Sequence, residues 1–374
     1  MIEYHLVFSI MIKTYFSAKA SLISKALIQF LDQQDQNTNS FSYECIPFLK
    51  KMVVSGKLYR GGLVFLGYDL FSDKKSSNLD ENDKDFQFLI KIAMVVELTQ
   101  SAFLLHDDVM DQDDYRRGQQ TFHKLIASEY STDKLFKDVD RLGESLAICL
   151  GDLLIFWSNK LLIEVMVDLQ SDRLAKKIND FYHHKMDSTA WGQMDDVYLA
   201  TRKGLVDKEN IYHVYALKSG DYSVVNPLLL GAFLSQNDEK QLELLSKIAR
   251  NIGIIFQIKD DEMNLFGSSK ETGKSTGSDI REDKKTVFRH ELFAVANANE
   301  RNQLLKIFGN KDISSADIQH VRKIMLSYNI QEKVNQSILQ MKKETDLMTK
   351  ELKLSASAKE LFKSFVQLMI ERKK

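Results

Sequence analysis

Five aspartates follow the end of an apolar run in the stretch LLHDDVMDQDDYRRGQQTFH, residues 104–123. They are Asp107, Asp108, Asp111, Asp113 and Asp114. Asp107 and Asp111 are four residues apart, so a helix places them on one face. Carboxylates this close repel one another and need cations beside them. Oxygen ligands without a set of histidines or cysteines favour Mg²⁺ or Mn²⁺ over zinc.

A solvated acidic helix end would also have this composition, but the pattern occurs a second time. The stretch FQIKDDEMNLFG places Asp260, Asp261 and Asn264 at the same spacing after another apolar segment. Two such clusters, facing each other across a helical bundle, would hold several divalent ions around a polyanion. Diphosphate is the obvious candidate, because Mg²⁺ typically binds one or two carboxylates together with phosphate oxygens.

Several basic residues suit the same ligand, because arginine binds phosphate with two hydrogen bonds and lysine binds it as a point charge. Each of these residues alone would be interpreted as a solvated surface charge. Because they occur together with two acidic clusters, a phosphate site is favoured. They are Lys57 and Arg60 in GKLYR, Arg116 and Arg117 beside the first cluster, Lys218 in ALKSGDY, and Lys274 and Lys284 in ETGKSTGSDIREDKKT.

The elements that carry these residues are predicted to be helices. The chain has only 2 prolines and 16 glycines in 374 residues, and it has no Asn-Gly hairpin signal between alternating runs. We therefore predict an all-α protein. Helices are expected at 11–32, in a pair within 41–70, and at 86–111, 141–170, 173–200, 207–234 and 239–266, with more helix over 287–372. Polar loops are expected at 72–85 and 267–286.

Composition excludes some classes of function. The net charge of −1 offers no field for nucleic acid. Two cysteines without a CxxC pair indicate a reducing compartment. No run reaches the roughly 18 apolar residues of a membrane span, and the N-terminus lacks the basic start of a signal peptide. We expect a cytoplasmic protein with an N-terminal helical segment at 1–40 and one catalytic domain at 41–374, and Met11 is a possible alternative start.

At these residues the sequence resembles the trans-isoprenyl diphosphate synthases (polyprenyl synthetases) of the geranylgeranyl and farnesyl diphosphate synthase type, from about residue 45 to the C-terminus. The matching segments occur in family order: GKLYR, HDDVMDQDDYRRG, GQMDD (192–196), KSGDY and FQIKDDEMNLFG, the last followed by TGKSTGSDIREDKKT. The resemblance implies a single-domain bundle of about ten or more mostly antiparallel helices around a central apolar cavity. It also implies a homodimer, to which the apolar run 146–166 could contribute.

The resemblance implies a transferase that condenses isopentenyl diphosphate with an allylic diphosphate, with several Mg²⁺ ions (or Mn²⁺) per site. The implied metal ligands are Asp107, Asp108, Asp111, Asp260 and Asp261. The implied contacts with the allylic diphosphate are Arg116, Lys218, Lys274 and Lys284. The implied contacts with isopentenyl diphosphate are Lys57, Arg60, Gln100 and Arg117, over which Arg372, Lys373 and Lys374 could close. Dipoles at Lys218, Ser219 and Gln257 would lie near the allylic cation. Asn264 departs from the family's third aspartate, so weakened metal binding is expected.

Product length is predicted from the residues before the first cluster. One helical turn rises about 5.4 Å, close to one isoprene unit, and in the family aromatic residues four and five positions before the first aspartate shorten the product. Here Phe103 is bulky and Ala102 is small. We expect a C20 product, geranylgeranyl diphosphate, with farnesyl or longer products as alternatives. A non-catalytic subunit of a heteromeric synthase, a terpene cyclase and a helical scaffold are the competing functions.

Overall fold

The computed structural model describes residues 2–34, 40–267 and 277–371, and most of them are helical. The first half contains α1 (Ile2–Gln34), α2 (Ser40–Val54), α3 (Tyr59–Phe71), a 3₁₀ turn (Ser76–Asn78), α4 (Lys84–Met110), α5 (Phe122–Glu129), α6 (Val139–Asp168) and α7 (Asp172–Thr201). The second half contains α8 (Lys208–Val214), a π-helical segment (Tyr215–Val225), α9 (Asn226–Phe233), α10 (Glu239–Phe266), α11 (Ser278–Arg281), α12 (Val287–Val295), α13 (Ala298–Ile307), α14 (Ser315–Ser327), α15 (Ile330–Glu351) and α16 (Ala356–Ile370). The all-α prediction is confirmed.

Side-chain caps fix where three of the long helices begin. Asp138 accepts a hydrogen bond from the Arg141 N–H at the start of α6, and Ser171 accepts one from the Leu174 N–H at the start of α7. Asp238 accepts from two backbone N–H groups at the start of α10. Each cap satisfies donors that have no partner within the helix, so these short polar residues set the register of the helices that follow.

Helix α4 forms the centre of the bundle, and nearly all of its residues from Phe88 to Ala102 are buried. Helices α3 and α9 cross very closely beside it, because a Cβ atom on Gly67 or on Gly231 would collide with a backbone carbonyl of the other helix. Helix α1 packs in the same core as the C-terminal helix, where the Phe16 and Phe365 ring centroids are 6.1 Å apart. The first and last helices therefore enclose the same core.

Two features differ from the sequence-based expectation. Strands β1 (Tyr115–Arg116) and β2 (Gln119–Gln120) form a small antiparallel hairpin directly after the first acidic cluster. Its two loop residues have positive φ, 53° at Arg117 and 76° at Gly118, which is the backbone of the tight turn that matches strand twist. An Arg-Gly turn lacks the Asn-Gly signature that would have revealed it.

The second difference is the π-helical segment between α8 and α9, where regular helix was expected at 207–234. Gly220 of this segment packs directly on Gly253 of α10, with no room for a Cβ atom on Gly253. Asp221, 1% exposed, pairs with Lys185 of α7 at 3.0 Å and with Arg250 of α10 at 2.9 Å. The segment is therefore anchored on both sides.

Helices α4 and α6 are long and apolar enough, by length and composition alone, to cross a membrane. In α4, 78% of the most apolar window is buried inside the protein, as expected for a core helix. In α6 only 39% of that window is buried, and Phe156, Ile163 and Val167 are 68%, 55% and 77% exposed. Helix α6 therefore presents an uncovered apolar face.

Candidate active site

The first acidic cluster lies at the C-terminal end of α4, where the helix dipole already disfavours negative charge. Arg116, on strand β1, offsets this charge. Its Nε donates to Asp108 Oδ1 at 2.5 Å, and its Nη2 lies 3.3 Å from Asp113 and 3.5 Å from Asp107. Burial raises the pKa of Asp108 to about 6, and the guanidinium opposes that shift. The hairpin thus places a fixed cation against the cluster.

The second cluster is on α10 and meets the first across one small cavity of about 150 Å³. Asp107 lines this cavity from α4, and Asp260, Asp261 and Asn264 line it from α10. The two acidic walls, distant in sequence, therefore converge as the spacing argument required. Asp279 of α11 lines the same cavity and accepts a hydrogen bond from Asn264 Nδ2 at 3.3 Å.

Two lysines join the first acidic cluster to carboxylates of neighbouring segments. Lys218 Nζ, on the π-helical segment, lies 3.4 Å from Asp107 Oδ1 and 2.6 Å from Asp196 Oδ2. Lys284 Nζ lies 2.9 Å from Asp111 Oδ2 and 3.1 Å from Glu282 Oε2. Burial lowers the pKa of both ammonium groups, but the carboxylates outweigh it and hold each pKa above the ordinary lysine value. Both lysines stay charged and can serve a second anion.

Ser219 and Gln257 belong to a hydrogen-bonded chain that runs into the core. Ser219 Oγ donates to Gln257 Oε1 at 2.5 Å, and Gln257 Nε2 donates to Asp261 Oδ1 at 2.8 Å. Tyr215 Oη donates to the other oxygen of Asp261 and accepts from the Val287 N–H at 2.9 Å. Burial, and then the charge of Asp279, raises the pKa of Asp261 well above its ordinary range. Asp261 thus orients Gln257 from behind.

A second cavity of about 440 Å³ brings together Lys57, Arg60, Gln100 and Arg117, the four residues assigned to one substrate. Arg117 Nη1 donates to Ser55 Oγ at 2.9 Å, and Arg60 Nη2 donates to Ser223 Oγ at 2.7 Å. Burial lowers the pKa of Arg117, and the guanidiniums of Arg116 and Arg60 lower it further. Cations crowded in this way favour an anionic ligand.

A third and larger cavity of about 880 Å³ extends from Asp107 and Lys218 between α4, α7 and the π-helical segment. Its apolar lining includes Phe103 and the buried Tyr222, together with Met194 and Val197, which are exposed to solvent. Ala102 is completely buried and is not among the lining residues. It is four residues from His106, whose Nε2 lies 3.1 Å from the Ile148 carbonyl, so this face of α4 packs against α6.

Some residues at the site were not singled out from the sequence. Asp196 and Gln193 both reach the first cluster or its lysine, and the GQMDD segment was the available signal. Tyr222 and Asp279 carried no chemical signal of their own, because an aromatic residue or a single aspartate has many other uses. Lys274, Arg372, Lys373 and Lys374 lie outside the described residues.

The donor set suits a hard divalent cation. Among the described residues no group of three or more histidines, cysteines, aspartates or glutamates is arranged as a formed metal site. Lys218, Lys284 and Arg116 instead neutralise the carboxylates. Oxygen-only side chains at Asp107, Asp111 and Asp260 match the preference of Mg²⁺, which takes few protein carboxylates and completes its shell with phosphate and water. The residues therefore fit a metal that arrives with a phosphorylated ligand.

Comparison with known proteins agrees with this chemistry. A family model described as polyprenyl synthetase matches residues 45–325. A geranylgeranyl diphosphate synthase of Sulfolobus acidocaldarius is 30% identical over 271 residues, which are 70% of this chain and 76% of that protein. A short chain isoprenyl diphosphate synthase of Methanocaldococcus jannaschii is 26% identical and covers 81% of this chain and 80% of its own length.

Solved structures share the fold. A geranylgeranyl pyrophosphate synthase from Corynebacterium glutamicum, complexed with isoprenyl diphosphate and magnesium, superposes with a TM-score of 0.87 at 23% identity. The match covers 96% of this chain and 99% of that chain. The chain therefore has the same all-helical fold as that enzyme.

Proposed function

The chain belongs to the polyprenyl synthetase family, and from that premise we propose that it joins isopentenyl diphosphate head to tail to an allylic diphosphate. It is a prenyltransferase that elongates prenyl chains. The observation that carries the proposal is the meeting of the two acidic walls across one cavity, with a cavity rich in cations beside it.

The allylic diphosphate would bind between the acidic walls. Asp107, Asp111 and Asp260 would hold Mg²⁺, which, when bound, neutralises charge on the diphosphate. Asp108 and Asp261 are buried and engaged by Arg116 and Gln257, so they would support the ligands from behind. Arg116, Lys218 and Lys284 would supply fixed positive charge to the departing diphosphate. Mg²⁺ is proposed over Mn²⁺ from the oxygen-only donors.

Isopentenyl diphosphate would bind in the cavity lined by Lys57, Arg60, Gln100 and Arg117. This cavity and the larger one share a boundary, since Gln100, Arg60 and Phe256 line both. A molecule held by its diphosphate in one cavity could therefore extend its double bond toward the other. Holding two reactants in this way removes much of the entropic barrier to their reaction.

The reaction would begin when the C–O bond of the allylic diphosphate breaks and its electron pair leaves with diphosphate. The allylic cation then bonds to the isopentenyl double bond, and the new cation loses a proton, which the released diphosphate accepts. The Lys218 carbonyl and the oxygens of Ser219 and Gln257 would stabilise the cation, because Asp261 holds Gln257 in one orientation. Apolar side chains at Phe103 and Phe256 would exclude water that would quench the cation.

We propose geranylgeranyl diphosphate, C20, as the product. Two observations support it: the geranylgeranyl diphosphate synthases among the relatives, and a tail cavity of about 880 Å³. Ala102, one of the two residues from which length was predicted, lies in the core behind the cavity wall. Phe103 therefore carries the length argument alone on α4.

We also propose a cytoplasmic homodimer that buries the uncovered face of α6. Phe156, Ile163 and Val167 are spaced by seven and four residues, so they share one stripe of this helix. Contiguous exposed apolar surface of this kind marks interaction sites in proteins that do not aggregate. A second copy of the chain would cover it.

The test is a direct assay of the purified protein with Mg²⁺, isopentenyl diphosphate and dimethylallyl, geranyl or farnesyl diphosphate in turn. Diphosphate release and a C20 product by mass spectrometry are expected without any second protein. Activity only after a partner is added would identify a non-catalytic subunit. Diphosphate release from the allylic substrate alone, with a hydrocarbon product, would identify a terpene cyclase instead.

A further inference from the structure

Tyr222 connects the two substrate cavities. It is buried, 4% exposed, and lies in the π-helical segment one helical turn beyond Lys218. The Arg60 guanidinium lies over its ring, 5.1 Å from the centroid, and the Phe103 ring centroid is 5.0 Å away at an angle of 58°. One aromatic ring thus contacts a cation of the isopentenyl cavity and a wall residue of the tail cavity.

The backbone around Tyr222 is held in place. Asp221 is fixed by Lys185 and Arg250, and Gly220 packs against Gly253 without space for a side chain. The Cα atom of Tyr222 is therefore held in place, because the residues before it are anchored to α7 and α10. Its phenol makes little use of the hydroxyl, whose nearest hydrogen-bond acceptor is the Val96 carbonyl at 3.5 Å.

Arg60 depends on the same segment for its orientation. Its Nη2 donates to Ser223, the residue that follows Tyr222, and its guanidinium rests on the Tyr222 ring. Within the part of the chain that the structure describes, the Arg60 Nε is buried without a hydrogen-bond partner. The Tyr222 ring and the Ser223 hydroxyl together therefore fix the plane of the Arg60 guanidinium.

On the tail side, Tyr222 and Phe103 close the wall from two helices. Phe103 lies one turn before Asp107 on α4, and Tyr222 lies a comparable distance beyond Lys218. Paired aromatic rings at this separation attract each other beyond their buried area. The pair therefore forms a stop one turn below the charged groups.

We propose that Tyr222 determines product length together with Phe103 and at the same time positions Arg60 for isopentenyl diphosphate. This inference rests on the proposed function, since both substrates belong to it. Tyr222 is a specificity-determining residue toward the tail and a positioning residue toward Arg60. The two roles of Tyr222 can be separated by substitutions of its neighbours. Phe103 contacts the Tyr222 ring on the tail side, whereas the Ser223 hydroxyl accepts a hydrogen bond from Arg60.

The test compares four variants by product mass spectrometry and by the KM for isopentenyl diphosphate. Tyr222→Ala is expected to lengthen the product by one or more isoprene units and to raise this KM about tenfold, the equivalent of about 1.4 kcal/mol. Phe103→Ala should lengthen the product without raising the KM. Ser223→Ala should raise the KM without lengthening the product. Tyr222→Phe, which keeps the ring, should restore the wild-type length and KM.

Tyr328→Ala, at the end of α14, is the control for the loss of a tyrosine side chain elsewhere in the protein. If Tyr222→Ala fails to fold, Tyr222→Leu takes its place. An unchanged product of Tyr222→Ala (or Leu), or a normal KM for isopentenyl diphosphate in that variant, would overturn the inference. An inactive wild-type protein would instead refute the proposed function, which keeps the two failures distinct.

Discussion

Replacing Asn264 with aspartate is expected to destabilise the metal-free protein and to make its stability depend on a divalent cation. The family usually has aspartate here, so the change would seem to repair the second acidic cluster. In this chain, however, the Asn264 amide donates to Asp279 at 3.3 Å. Asp279 is 3% exposed and lines the same cavity as Asp260 and Asp261. The carboxylate that position 264 lacks is thus already provided by position 279.

The magnitude follows from the distance. Two unit charges 3.3 Å apart repel by about 5 kcal/mol at an effective dielectric constant of about 20. Rotation of one carboxyl group or uptake of a proton relieves part of this, whereas loss of the amide hydrogen bond adds about 1 kcal/mol. We expect a net loss of about 2 to 4 kcal/mol for Asn264→Asp in EDTA, which is large for one nearly isosteric change.

The assay is a double-mutant cycle. Wild type, Asn264→Asp, Asp279→Asn and the double exchange are unfolded thermally and in urea, first in EDTA and then with increasing MgCl₂ and inorganic diphosphate. Asn264→Asp should have the lowest midpoint in EDTA and should gain more from Mg²⁺ than wild type. The double exchange restores one amide and one carboxylate, so its stability should return close to wild type.

Two results would refute this reasoning. If Asn264→Asp is as stable as wild type in EDTA, the two side chains do not face each other closely enough to matter. If the effects of the two single exchanges add in the double variant, the residues do not act as a pair. Both results are independent of catalytic activity, so they remain decisive even if all variants are inactive.

Three further outcomes are expected. Burial raises the pKa of Glu282 to about 7 in the folded protein from its ordinary 4.5, so its stabilising contribution is complete below pH 4.5 and is lost as the pH rises toward 7. The free energy of unfolding, measured by urea titration in EDTA, should therefore fall over this range by at most about 3 kcal/mol more in wild type than in Glu282→Gln. Parallel curves for the two proteins would contradict this. Asp221→Ala should lower the free energy of unfolding by about 3 to 5 kcal/mol, because it leaves Lys185 buried without its carboxylate partner. Thermal unfolding of this variant, compared with wild type and with Asp221→Asn, measures the loss. Phe156→Asp should convert a dimer into a monomer in sedimentation, whereas Leu305→Asp, at an exposed apolar position on α13, should not. An unchanged mass of the Phe156→Asp variant would remove α6 from the interface.

The charged part of the site could be predicted from the sequence because its residue types are restricted. Few structures other than a metal and phosphate site require two acidic clusters at helical spacing with lysines and arginines nearby. The residues assigned to isopentenyl diphosphate likewise meet in one cavity, although they come from α3, α4 and the hairpin. Their roles stay predictions, whereas their convergence is a property of the fold.

The walls of the site could not be predicted in the same way. Ala102 and Phe103 are adjacent, yet one lies in the core and the other in the cavity, because a step of one residue turns a helix by about 100°. Tyr222 escaped notice because the π-helical segment changes the register after Lys218, and no periodicity in the sequence marks such a segment. Asp108 and Asp261 stay predicted metal ligands by residue type, and their burial and their hydrogen bonds with Arg116 and Gln257 could not be read from the sequence.

The helix that carries the first acidic cluster, α4, also contributes the wall of the tail cavity. Phe103 and Asp107 are one turn apart on α4, and the next residue along that face is Thr99, which lies 2.8 Å from the Tyr182 hydroxyl in the buried core. Backbone hydrogen bonds of α4 fix these separations. Replacing a side chain can therefore remove bulk at one turn of the helix but cannot change the spacing between turns. Loss of the Phe103 ring is therefore expected to add room of about one turn, roughly 5.4 Å, in the direction of Thr99. We therefore expect product length to change in steps of about one helical turn when side chains on this face of α4 are replaced.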